Sequence, residues 1–133
     1  MPEFMKFVAI SGALLAVATT VRGQEGAPSV PSGIDLTLQE VLREEQSDGT
    51  FWLRFRYVAP SLASEGYETV RQDFAALCET QVLPYVAAGE SDAAQAVISI
   101  ASEETEFGLA APGVTQFFEA FSLIDDTCQW EPF

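Results

Sequence analysis

The chain is expected to fold as an α+β domain: a small antiparallel sheet of four to five strands in the order β-β-α-β-β-β, one main helix packed on it, and one disulfide. Three observations point there. The run Phe51-Trp52-Leu53-Arg54-Phe55-Arg56-Tyr57-Val58 alternates with the period of two of a strand. Tyr67, Val70, Phe74, Leu77 and Cys78 recur at the spacing of one helix face. The only two cysteines, Cys78 and Cys128, lie far apart in sequence.

The N-terminal stretch precedes that domain. Lys6 is followed by the uncharged run Phe7 to Val21, shorter than the ~20 apolar residues a bilayer-spanning helix needs. Small residues follow at Val21-Arg22-Gly23, the pattern of a cleavable secretory signal, with the cut expected between Gly23 and Gln24. Residues 1–23 are therefore expected to be a signal peptide, 24–33 a flexible Pro/Gly/Ser linker, and 34–133 the single domain. An uncleaved membrane anchor is the alternative. In the oxidising compartment that export implies, Cys78 and Cys128 are expected to form one disulfide, two buried thiols being the alternative.

Within the domain, Leu36, Leu38, Val41 and Leu42 make a first strand, and Asp48-Gly49 turns it into the second. Charge selects the register. A two-residue turn would set Arg43 against Arg54, a like-charge pair that costs stability. A three-residue loop with Gly49 left-handed sets Glu40 opposite Arg56 and Val41 opposite Phe55, and is preferred. Phe51, Leu53, Phe55 and Tyr57 then share one face, while Trp52, Arg54, Arg56 and Val58 share the other.

A helix is expected over Gly66 to Gln81, with Pro84 and Gly89 limiting any continuation. Cys78 lies on its apolar stripe, which would pin the helix to the C-terminal strand. Ala96 to Ile100 is a short interior strand and Ala111-Pro112-Gly113 a turn. Thr115 to Ile124 is a strand by its aromatics, with a helix as competitor. Asp125-Asp126-Thr127 turns into a last strand at Cys128-Gln129-Trp130. Phe117, Phe118 and Phe121 are expected in the core, with an exposed partner-binding patch as the alternative, and Trp130 and Phe133 are expected tucked beside the disulfide rather than displayed for a partner.

The chemistry is bounded by what is missing. The 133 residues hold 20 acids, 6 bases and no histidine, a net charge of −14. Removing residues 1–23 leaves 4 basic and 19 acidic residues, with no lysine and no asparagine. Without histidine or lysine there is no imidazole base for a Ser or Cys nucleophile, no Ser-Lys dyad and no Schiff base, which leaves carboxylate-only acid/base chemistry or hard-metal binding. Histidine-built zinc or copper sites are likewise excluded. The acidic clusters Glu44-Glu45, Glu103-Glu104 with Glu106, and Asp125-Asp126 lack the spacing of a calcium loop and are expected to be solvated charge. No catalytic residue, metal or cofactor is assigned. Strong acidity argues against nucleic acid or an anionic membrane surface as partner. The four mature arginines are scarce, and Arg54 and Arg56 share a face with Trp52. These three form a candidate partner-binding patch, the alternative being ion pairing with Glu40 or Glu44.

The stretches Leu53 to Pro60, Ala76-Leu77-Cys78, Val97-Ile98-Ser99, Phe107-Gly108, Thr115 to Glu119 and Cys128-Gln129-Trp130-Glu131 resemble an uncharacterised family of small exported proteins from alphaproteobacteria, a domain of unknown function. The resemblance implies a periplasmic protein with paired cysteines and brings no activity with it. Members sometimes carry the label acetolactate synthase, but this chain lacks the Gly-Asp-Gly motif of a thiamine-diphosphate enzyme. The expected function is a non-enzymatic periplasmic accessory or binding protein, not inserted in the membrane after cleavage, whose protein partner meets either the Trp52, Arg54 and Arg56 face or an exposed sheet edge. A small carboxylate-dependent hydrolase or lyase is the rival, marked by Glu119 and a second acid meeting in a pocket. A membrane-tethered subunit is the third possibility.

Overall fold

The computed structural model describes residues 26–89 and 93–132. The expected signal peptide and Phe133 lie outside the described residues. Among the described residues, five strands form one sheet in sequence order: β1 (Thr37–Glu45), β2 (Phe51–Val58), β3 (Ala93–Ala101), β4 (Gln116–Ile124) and β5 (Thr127–Glu131). Between β2 and β3 come a 3-10 turn at Pro60–Ser64 and a helical run made of α1 (Tyr67–Val70), α2 (Asp73–Leu77), a π-helical segment (Cys78–Val82) and α3 (Leu83–Ala87). Among the described residues, no helix is long and apolar enough to cross a membrane.

The β1–β2 hairpin closes as the charges require. Glu40 faces Arg56 and Val41 faces Phe55. Gln46 and Thr50 close the loop, and Gly49 takes φ +90°, a left-handed value that glycine adopts without steric cost. The Asp48 carboxylate accepts bonds from the Thr50 amide and hydroxyl, which hold it below the usual aspartate range. A register shift between Leu38 and Glu40 leaves Gln39 bulged, and its side chain donates to the carbonyl of Thr105.

The sheet is mixed rather than wholly antiparallel. β2 and β3 run parallel, Phe55 beside Ile98, while the other three pairs are antiparallel. The cause is the helical crossover: a chain that leaves one end of a strand and returns through a helix re-enters at the other end and runs the same way.

The helical run also extends beyond Gln81, to Ala87. Pro84 does not end it, because the Leu83 amide bonds the carbonyl of Cys78, widening the turn just before the ring, so Pro84 sits near the start of α3 where its missing N–H costs least. Val70, Phe74, Leu77, Cys78 and Val82 are buried against Leu53, Phe55, Tyr57, Ala96, Ile98 and Ile100 of the sheet. Cys78 is bonded to Cys128, which ties the run to β5.

Two further expectations change. Val30 to Gly33, placed by composition in a mobile linker, are built into the fold: Val30 belongs to the core, and Ser32 donates its amide and hydroxyl to the fully buried carboxylate of Asp73. Of the three phenylalanines expected inside, Phe121 is buried and Phe117 packs against the core, but Phe118 is exposed on the opposite face. Adjacent strand residues point to opposite sides, so Phe117 and Phe118 are not both accommodated within one core.

The competing helix over Thr115 to Ile124 does not form, and β4 joins β5 through Asp125 and Asp126 at φ +51° and +61°. This two-residue turn needs positive φ at both positions, and aspartate tolerates that better than most side chains.

Candidate functional site

Each face of the sheet carries a hollow. On the face away from the helical run, Arg54 and Arg56 project from β2, Ser99 from β3, and Gln116 and Phe118 from β4. The loop between β3 and β4 folds over them. Thr105 accepts a 2.8 Å bond from Arg56, and the Phe107 ring lies 5.1 Å from the Arg54 guanidinium and 5.5 Å from that of Arg56. The space left between sheet and loop is about 250 Å³. Exposed Phe107, Leu109 and Phe118 surround it.

Both arginines are ion-paired. Arg54 meets Glu44 at 2.8 Å, and Arg56, almost fully buried, bonds Glu40. Each guanidinium has five N–H donors, so the pairing leaves further donors on both. With Glu106 also in the lining, acids offset the two positive charges. The hollow therefore offers donors set in an apolar rim rather than a positive field for a phosphate. Trp52 shares this face and is partly buried beside Glu44 on β1, at the side of the hollow rather than in its lining.

On the helix side, a shallower hollow of about 390 Å³ opens between α1 and the β4–β5 hairpin. Its floor is Glu119, whose carboxylate is nearly buried and accepts from the Tyr67 hydroxyl and the Trp130 indole N–H. Tyr67, Phe74, Phe121 and Trp130 supply aromatic walls. Tyr67 lies 6.3 Å from Phe74, roughly parallel to it, and 5.6 Å edge-on from Phe117. The bond to Glu119, with some burial, raises the Tyr67 hydroxyl above the ordinary tyrosine range. Trp130 is 60% exposed. Its parity with Cys128 does place it on the helix side, but β5 is the edge strand, and among the described residues no further strand encloses it.

Glu119 thus meets a tyrosine and a tryptophan, with Arg71 at the rim. None of the residues lining its hollow is a second acid. Among the described residues, no three acids or cysteines come together as a metal cage.

A family model described as a family of unknown function (DUF6497) matches residues 10–133. The chain belongs to that family. Searches of curated proteins and of solved structures return no match. Membership in DUF6497 covers both hollows and the disulfide, and it carries no reaction with it.

Of the residues singled out from sequence, Arg54 and Arg56 come together in a hollow and Trp52 stands beside it. The Tyr67–Glu119–Trp130 trio was not assembled from sequence. Its members lie 52 and 11 residues from the shared carboxylate, so no local pattern joins them.

Proposed function

We propose that this protein is an exported, non-enzymatic accessory or binding protein of the periplasm, and that a protein partner docks on the sheet face bearing Trp52, Arg54 and Arg56. The observation that carries this reading is the rim of exposed Phe107, Leu109 and Phe118 around a hollow floored by two arginines with donors to spare. An apolar side chain entering the hollow would be flanked by guanidinium donors suited to peptide carbonyls. The sheet edges favour the face over strand addition: β1 carries Glu40, Arg43, Glu44 and Glu45 and a bulge, and β5 has only five residues.

Export is supported by the Cys78–Cys128 bridge, which persists in an oxidising compartment, and by the leader-like pattern of residues 1–23. The hydrolase or lyase reading has less support, because Glu119 is held by two hydrogen-bond donors with no acid opposite it.

The test is capture from periplasmic extract by wild type, Phe118→Asp, and Gln81→Ala as a variant at a half-buried position of the helical run, away from this face. A protein retained by wild type and Gln81→Ala but lost with Phe118→Asp supports docking here. Identical retained proteins in all three remove this face. N-terminal sequencing of exported protein checks the compartment: a chain starting near Gln24 is expected, and one retaining residues 1–23 would favour the tethered reading.

A further inference from the structure

The helix-side hollow has a composition with a chemical meaning of its own. A nearly buried carboxylate, Glu119, forms the floor, and Tyr67, Phe74, Phe121 and Trp130 form the walls. Each aromatic ring has a negative face that attracts cations, most strongly when the cation sheds little water to approach. The tyrosine hydroxyl and indole N–H orient the carboxylate, one donor to each oxygen. A carboxylate has about four acceptor sites, so roughly half remain for a ligand. Arg71 at the rim is 55% exposed and stands 3.5 Å from Glu68, whose charge offsets it. The chain as a whole carries −14, a field that concentrates cations near its surface. A volume of about 390 Å³ is enough for a small organic ion.

We propose that this hollow binds an alkylated ammonium group, the methyl-bearing cation of a choline-type molecule, with Glu119 as counter-ion and Tyr67 and Trp130 as the principal aromatic walls. A bare metal ion is the poorer match: it needs several oxygen ligands, whereas one carboxylate is present and the rest of the wall is mostly carbon. An alkylammonium head presents apolar methyl groups to the rings and spreads its charge over them, and it loses less hydration on entry. The site is separate from the arginine face, and its occupancy does not depend on the docking proposed there.

Choline chloride titrated into the disulfide-bonded mature protein, followed by the indole N–H signals in a nitrogen–proton NMR spectrum, tests this. The two tryptophans lie on opposite faces of the sheet, so Trp130 reports on this hollow and Trp52 on the other face, and Trp130→Phe assigns the pair. A saturable shift of the Trp130 signal is expected, with Trp52 unmoved and sodium chloride at the same ionic strength without effect. Glu119→Gln should weaken binding by about tenfold or more, and Tyr67→Leu by a few-fold. Tyr67→Leu is the second probe should Glu119→Gln fail to fold. No saturable shift at tens of millimolar choline would overturn the proposal, as would equal affinity in Glu119→Gln or, if that variant does not fold, in Tyr67→Leu.

Discussion

The two faces of this sheet are held in different ways. The helix side is closed by carbon: Leu53, Phe55, Tyr57, Ile98 and Ile100 are covered by Val70, Phe74, Leu77 and Val82, and a disulfide fastens the cover. The opposite side is closed by charge and a loop, with Arg54 and Arg56 paired to carboxylates beneath Thr105 and Phe107. Burying apolar side chains stabilises by roughly 1.5–3 kcal/mol each, whereas a partly exposed ion pair such as Arg54–Glu44 contributes about 0–1 kcal/mol, and in the more buried Arg56–Glu40 pair the desolvation of the guanidinium offsets much of the attraction. Stability is therefore concentrated on one side, and the other carries exposed aromatics, the surface proposed for a partner.

The largest effect that sharpens this contrast is removal of the cover's fastening. Converting Cys78 and Cys128 together to serine should lower unfolding free energy by about 4 kcal/mol, the loop-closure entropy of a crosslink spanning 50 residues. Denaturant titration under non-reducing conditions measures it, and an unchanged midpoint would mean that the helical run is held without the bridge. Next comes Asp73→Ala. It strips the Ser32 amide and hydroxyl of their acceptor and should cost about 1–3 kcal/mol, with faster hydrogen exchange at the Ser32 amide.

Alkaline pH probes the same side. Burial drives the Tyr57 hydroxyl well above its ordinary value, and the bond to Glu119 raises Tyr67. Below pH about 10, folded and unfolded chains both keep these protons, so the stabilisation is complete. Above it the unfolded chain releases protons that the fold retains, and stability falls as pH climbs. A thermal-melting series from pH 8 to 11 should decline only at its upper end.

A smaller effect is expected at Tyr57 itself. Its hydroxyl is buried and has no hydrogen-bond partner among the described residues. Tyr57→Phe should be neutral or stabilising by up to about 1 kcal/mol, and should flatten the alkaline decline.

Much of the closed side was legible in the chain. A helical stripe and an alternating strand are periodic signals, and the like-charge clash of Arg43 with Arg54 was enough to choose the hairpin register. The direction of β3 was not legible, since alternation reports which way side chains point and says nothing of chain direction. Phe118 carried a usable signal: neighbouring strand residues face opposite ways, so one of Phe117 and Phe118 had to leave the core. Val30 and Ser32 were hidden by Pro/Gly composition, which marks turns but does not reveal a long-range bond to Asp73. The Glu119 hollow depends on three elements that meet only in the fold.

The most direct test of the central contrast is a matched truncation series measured by denaturant unfolding. Phe55→Ala, Ile98→Ala and Phe74→Ala on the closed side should each cost about 2–5 kcal/mol. Leu109→Ala and Phe118→Ala on the other should each stay within about 0.5 kcal/mol of wild type, as exposed positions do, and Phe107→Ala, which removes the ring beside two guanidiniums, should cost about 1 kcal/mol. Equal costs on the two sides would contradict the account, because Phe107, Leu109 and Phe118 would then be structural parts of the domain rather than the surface proposed for a partner.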